Sequence, residues 1–450
     1  MNNNFITMKK ILPIFILSLT ILSCTKTQFE DRVKNTGSID VSNYVSVGNS
    51  LTQGFQDNGL YAETQAWSYP ALIAQQMKLA NPNMPDFKQP MAIGNGSGYM
   101  HLEFIDNEIT PIRPDDPTYG GPYREDPTWP DWQDYVKGPK YNNLGIAGIQ
   151  LRNAIGLDNN QRIYNHVFLD GISTLNIQGN PYARFLDWGD SPLLFGTPKE
   201  YVDHMRESNA TFFTNWLGNN DVLGYATSGG DEGEFTIPFV GTFKASELTP
   251  VAEFRQKYDS VLSALTVNGA KGVCATIPDV TSIPLFNTVT LESLGKDIWI
   301  YENDGSTKRL AEEGDLILLT ALTEIEDNGK GTENDPLPHT LVLDKAEAKR
   351  AQDHTILLNN EIKGLAAKYG VPVVDTYEIL KTFESGMKMS GIDLNIKYVE
   401  GGLFSLDGVH PNPKGYAIVA NEFIKVINQS YGANIPLIDI TRYRSVIFPN

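Results

Sequence analysis

The sequence predicts an α/β fold built on a mainly parallel sheet, and three observations carry that reading. Short strand-like runs alternate with longer runs at helical spacing from about residue 44 onward. Several strand-like runs end in glycine and small polar residues, as "YVSVGNS" and "FFTNWLGNND" do. Two segments, about 83–140 and 281–342, break the rhythm and exceed the usual connections of a compact domain, so they read as insertions.

Taken in order, "NYVSVG" is a first strand and "SYPALIAQQMKLA" (68–80) has helical spacing. "YNNLGIAG" (141–148) reads as a strand running into a turn, and "ATFFTNWLGNND" (210–221) as another. A helix at about 250–268 precedes the strand "GVCATIP". A long helix at about 344–369, with Ile356, Leu357, Ile362, Leu365 and Tyr369 as its core face, leads to the strand "VPVVDT". A helix at about 414–429 closes the domain, which is expected to span 44–450 as one unit.

The N-terminus is of a different kind. "MNNNFITMKKILPIFILSLTILSC" has two lysines, an apolar run too short for a comfortable membrane span, and Ser23-Cys24, so residues 1–23 read as a secretory signal peptide. Ile-Leu-Ser-Cys at 21–24 resembles a bacterial lipobox, which implies lipidation of Cys24 and a lipid anchor in the bacterial cell envelope, periplasmic or associated with the outer membrane. Residues 24–43 are polar, without apolar period, and read as a tether. The second of only two cysteines, Cys274, lies in an apolar run and reads as a small buried hydrophobe.

Composition bounds the partners. The 450 residues are 41% hydrophobic and 20% charged, an ordinary globular balance with enough length for a sizeable core. A formal net charge of −18 disfavours a nucleic-acid groove, which needs clustered Lys and Arg.

Chemistry enters at Ser50, at the end of the first strand. A serine hydroxyl is a weak nucleophile unless a base takes its proton and an acid orients that base. Among six histidines, His410 in "SLDGVHPNPKG" stands three residues after Asp407, a spacing that lets a carboxylate meet one ring nitrogen while the other points outward. Gly148, ending "NNLGIAG", offers a backbone N–H, and Asn220 in "LGNND" offers a side-chain amide, the kinds of donor an oxyanion requires. In open parallel sheets ligands bind at the carboxyl ends of the strands, where all four signals would converge.

"GNSLTQG", "NLGIAG", "GNND" and "DGVH", in this order, resemble the GDSL or SGNH hydrolases, and more closely the long lipoprotein members of bacterial envelopes. The resemblance implies a three-layer α/β/α sandwich and an esterase or lipase that needs no metal or cofactor. It also implies roles: Ser50 as nucleophile, His410 as base and then acid, Asp407 as its orienting group, and Ser50, Gly148 and Asn220 as oxyanion donors. The expected substrate is a small-molecule, lipid or acylated-glycan ester. One departure is Asn49, where the family usually has Asp, which is expected to alter local hydrogen bonding.

Two alternatives follow from the same sequence. The aromatics Tyr119, Tyr123, Trp129, Trp132 and Tyr135 suit a sugar-stacking platform, a lid over an acyl pocket, or simple anchors for the first insertion. The whole chain could also be a degenerate hydrolase scaffold that binds glycan or a protein partner, since a fold does not dictate a function.

Overall fold

The computed structural model describes residues 33–105, 108–113, 140–153, 181–183, 185–186, 200–237, 241–244 and 246–449. Its central sheet has four parallel strands in the order β1 (Tyr44–Gly48), β2 (Phe212–Trp216), β3 (Lys271–Ala275) and β4 (Val373–Val374). All five residues of β1 and of β2 are buried, as strands covered on both faces must be. The helices that frame the site are α1 (Ser50–Gln53), α2 (Tyr69–Ala80), α3 (Asn220–Thr227), α4 (Val251–Thr266), α5 (Lys345–Lys368), α6 (Thr376–Glu384) and α7 (Pro413–Tyr431).

The pleat of β2 assigns the two faces. Phe212 and Trp216 stand on one side, where Phe212 meets Tyr431 of α7 at 6.0 Å and Trp216 meets Phe423 of α7 and Tyr69 of α2 at 6.0 and 5.5 Å. Asn215 stands on the other, facing Cys274 of β3 and, beyond it, Tyr258 of α4. Helix α5 is tied to α4 by Arg255–Glu361 and Lys368–Asp259 ion pairs. The result is the three-layer α/β/α arrangement. Cys274 is fully buried, and burial pushes its thiol up to about 12, so it fills space as a hydrophobe would.

Three expectations need correction. The segment 141–148 is not a full strand: it runs parallel along the outer edge of β1 with one bridge, Ser46 to Asn143, and bonds Ser46 N to Asn142 O, Leu144 N to Ser46 O and Ile146 N to Gly48 O. The rung that would join Gly48 N to Leu144 O is taken by the Tyr201 hydroxyl, which donates to Leu144 O and accepts from Gly48 N. The tether is shorter than residues 24–43, because Ile39 and Val41 are buried in the main core and Ser38 N donates to Tyr431 O. Two apolar residues spaced by two are enough to draw that segment in, and its polar neighbours hid them. On α5 the buried stripe is Ala351, Thr355, Leu358, Ile362 and Ala366, while Ile356 and Leu357 are exposed. Small residues complete the 3.6-residue period that a count of large apolars misplaces.

The edge position of 142–146 matters for function. Chain order leaves β1 outward to this segment and then crosses to β2 on the other side. The reversal puts the topological switch point between β1 and β2, and the crevice beyond their carboxyl ends is where such sheets bind ligands.

The second insertion builds its own small core from Val289, Ile298, Ile300, Ile317 and Leu337, with a hairpin pairing Trp299–Tyr301 to Lys308–Leu310. The described part of the first insertion includes a hairpin of His101–Ile105 with Glu108–Ile112. The signal peptide, Cys24 and the aromatics Tyr119, Tyr123, Trp129, Trp132 and Tyr135 lie outside the described residues.

Candidate active site

β1 delivers Ser50 to the switch point as the first residue of α1, and Asn49 caps that helix by accepting from Leu51 N at 3.1 Å. An aspartate would serve the same acceptor role, so this departure keeps the local cap. Its own amide nitrogen, Asn49 Nδ2, is buried without a hydrogen-bond partner.

The loop before α7 brings the other two residues. His410 Nε2 lies 2.9 Å from Ser50 Oγ, and His410 Nδ1 lies 2.9 Å from Asp407 Oδ2. The three form an unbroken line across 360 residues of sequence. Phe55 packs against the imidazole, ring centroids 4.8 Å apart. Asp407 accepts further hydrogen bonds from the N–H groups of Asn58, Val409 and His410 and from the Ser405 hydroxyl, at 2.8–3.0 Å. Burial works against its charge, yet His410 and these donors outweigh it and hold the carboxyl at about 2. It is therefore ionised at neutral pH.

Gly148 and Asn220 come to the same edge from the segment beside β1 and from the end of β2. Gly148 has φ +78° and Gly218, just before Asn219, φ +116°, conformations that side-chain-bearing residues rarely adopt and that let each chain turn sharply at its strand end. Asn220 Nδ2 donates to Ile149 O at 2.9 Å, tying α3 to the residue after Gly148. Ala147 N donates to Gln53 Oε1 at 2.9 Å, tying the same segment to the helix that carries Ser50. Asn143 Nδ2 adds a bond to Thr52 O at 2.7 Å. All five expected residues thus stand on four segments laced to one another. Of the other histidines, His101, His339 and His354 are engaged by Glu103, Asp231 and Thr249 O, and His166 lies outside the described residues.

Two carboxylates escaped the sequence reading. Asp221, next to Asn220, is fully buried, accepts from Thr249 Oγ1 at 2.6 Å and Leu151 N at 2.8 Å, and burial pushes it up to about 6. Asp57 sits in the turn after α1 and accepts from Leu406 N at 2.9 Å, from Gln56 Nε2 at 2.6 Å and from Tyr61 OH at 2.9 Å, with burial raising its pKa. The dipeptide Asp57-Asn58 before Gly59 carried a turn signal, but nothing local pointed to a partner 349 residues away.

An apolar cleft of about 110 Å³ is walled by Leu51, Trp216, Phe383, Phe404, Val409 and Val419. Leu51 follows Ser50 in α1 and Val409 precedes His410, while Ser50 and His410 themselves do not line the cleft.

Comparison with known proteins gives the family. The family model described as GDSL-like Lipase/Acylhydrolase matches residues 44–423. No curated protein matches the chain. Among solved structures, it is similar to an α/β hydrolase enzyme from the metagenome of Lake Arreo, at 12% identity over 86% of this chain and 95% of the other, with a TM-score of 0.35. It is also similar to a variant acetyl xylan esterase from Geobacillus stearothermophilus, at 12% over 88% and 96% with a TM-score of 0.33. An extracellular lipase from Streptomyces rimosus matches at 11% over 86% and 98%, with a TM-score of 0.32. The family match spans most of the chain and both ends of the hydrogen-bonded line, and the protein belongs to the GDSL-like lipase/acylhydrolase family, hydrolases of ester bonds.

Proposed function

We propose that the protein is a serine esterase that works through an acyl-serine intermediate. The observation that carries this reading is the continuous line Ser50 Oγ, His410 Nε2, His410 Nδ1, Asp407 Oδ2, with 2.9 Å at each hydrogen bond. Ser50 Oγ attacks the ester carbonyl carbon while its proton passes to His410 Nε2. Asp407 holds the imidazole by Nδ1–H and stabilises the imidazolium that forms. The carbonyl oxygen, now an oxyanion, is met by the N–H groups of Ser50 and Gly148 and by the second N–H of the Asn220 amide, whose first N–H is spent on Ile149 O. Collapse of the intermediate breaks the ester C–O bond, and His410 gives its proton to the departing alcohol. Water then attacks the acyl-serine with His410 as base, releasing the acid and restoring Ser50.

The apolar walls contributed by Leu51 and Val409, the chain neighbours of Ser50 and His410, support an ester with an apolar acyl chain. The lipobox-like Ile-Leu-Ser-Cys supports anchoring at Cys24 in the bacterial envelope. A Cys24→Ser variant that still incorporated a fatty-acid label would remove that anchor from the account.

Hydrolysis of p-nitrophenyl acetate, butyrate and octanoate, by the protein and by its Ser50→Ala variant, tests the reading. Turnover should vanish with Ser50 and rise with chain length. Equal rates in both proteins would instead favour a degenerate scaffold that binds glycan or a protein partner.

A further inference from the structure

The acid–base loop is held by the segment that carries the nucleophile. After α1 the chain makes a tight turn in which Gln56 and Gly59 exchange both backbone hydrogen bonds at 2.9 Å. Its two central residues, Asp57 and Asn58, both have positive φ, +52° and +59°, the geometry of a type I′ turn. Four hydrogen bonds run between this turn and the loop that holds Asp407, or brace that contact from within the loop. Asp57 N donates to Ser405 Oγ at 3.0 Å, and the same hydroxyl donates to Asp407 Oδ1 at 3.0 Å. Leu406 N donates to Asp57 Oδ1, and Asn58 N donates to Asp407 Oδ2, each at 2.9 Å. The turn is itself fixed, since Met100 N donates to Asp57 O at 2.7 Å and Tyr416 OH to Phe55 O at 2.6 Å.

Asp57 Oδ2 is held by Gln56 Nε2 and Tyr61 OH, so each of the three groups that hydrogen-bond this carboxylate is a donor. An ionised carboxylate accepts all three bonds, whereas an amide of the same shape must turn an N–H₂ toward one of them. The carboxylate is buried, with 7% of its residue surface exposed, so the loss is not repaired by bulk water.

We infer that Asp57 is a positioning residue for ester hydrolysis: its carboxylate clamps the 405–407 loop onto the turn following α1 and so sets the distance from His410 to Ser50. This rests on the serine-esterase reading. Ser50 and Asp57 lie on one short stretch of chain, so the clamp fixes acid, base and nucleophile in a single frame. Misplacement of a reacting group by about 1 Å costs about 10² in rate.

The test is steady-state hydrolysis of p-nitrophenyl butyrate by the full chain, its Asp57→Asn variant and two companions, with the downfield proton resonance of His410 Nδ1–H recorded for each. Asp57→Asn should lower kcat by about 10²-fold with KM nearly unchanged, and broaden or lose that resonance. Ser405→Ala, which removes the linking hydroxyl, should do the same to a smaller extent and supplies the answer if Asp57→Asn does not fold. Asn428→Ala removes a pair of bonds to Ile435 at the far end of α7 and should leave kcat and the resonance as they are. Wild-type kcat in both Asp57→Asn and Ser405→Ala, or an equal loss in Asn428→Ala, would overturn the assignment. Turnover that survives Ser50→Ala would instead overturn the esterase reading beneath it.

Discussion

Asp407, in the loop before α7 and largely shielded from solvent, and Asp221, fully buried in the first turn of α3, are carboxylates at the carboxyl edge of the same sheet, yet one is held at about 2 and the other pushed up to about 6. Burial is the largest influence on each, and it favours the neutral acid in both. The partners make the difference. Asp407 faces the ring nitrogen of His410 and accepts three backbone N–H bonds and a serine hydroxyl. Asp221 accepts one hydroxyl and one main-chain N–H from Leu151, and Arg152 lowers its pKa less than those two bonds do. A carboxylate aimed at an imidazole stays charged, as the proposed mechanism requires of a group that stabilises an imidazolium. A carboxylate that only braces a loop can be left near its titration point.

The largest effect that separates the two belongs to Asp407→Asn, which reverses the hydrogen-bond demand on His410 Nδ1 and is expected to cut kcat by about 10⁴. Asn220→Ala, on the Asp221 side, should cost about 10²–10³ in kcat through the lost oxyanion donor. Both are read from ester hydrolysis with the Ser50→Ala rate subtracted. Asp221→Asn should change kcat by less than about tenfold, because Asp221 touches no reacting atom.

Stability against pH sharpens the contrast, since the two shifts have opposite signs. Asp407 has a lowered pKa, so its contribution to stability is present above about pH 4 and is lost as pH falls toward 2. Asp221 has a raised pKa, so its ionisation penalises the fold above about pH 6 and the penalty is relieved as pH falls toward 4. Denaturant titrations should therefore show wild type gaining on Asp221→Asn between pH 7 and 4, and losing its advantage over Asp407→Asn below pH 4. Parallel curves for both pairs would refute the assigned difference.

Sequence reading reached the sheet and the line of three residues for the same reason: both are written in short local patterns. A strand that ends in Gly48, Asn49 and Ser50, and a turn with Asp407 three residues ahead of His410, keep their meaning without knowledge of distant contacts. The clamp at Asp57 was illegible because its partners, Ser405, Leu406 and Asp407, are about 350 residues away, and proximity of that kind exists only after folding. The segment 141–148 shows the converse: its apolar run suggested a full strand, but the Tyr201 hydroxyl, 57 residues from Leu144, takes the place of one rung of the ladder. Ile39 and Val41 were lost in a polar segment because two residues give no period to count.

The central claim is that Ser50 becomes acylated, and trapping it is the most direct test. The protein would be treated with a fluorophosphonate ester, digested, and its peptides mapped by mass spectrometry, beside the His410→Ala variant. The expected result is one adduct per chain, on Ser50, formed rapidly in the wild type and barely in His410→Ala. An adduct elsewhere, none at all, or equal labelling of both proteins would contradict the account.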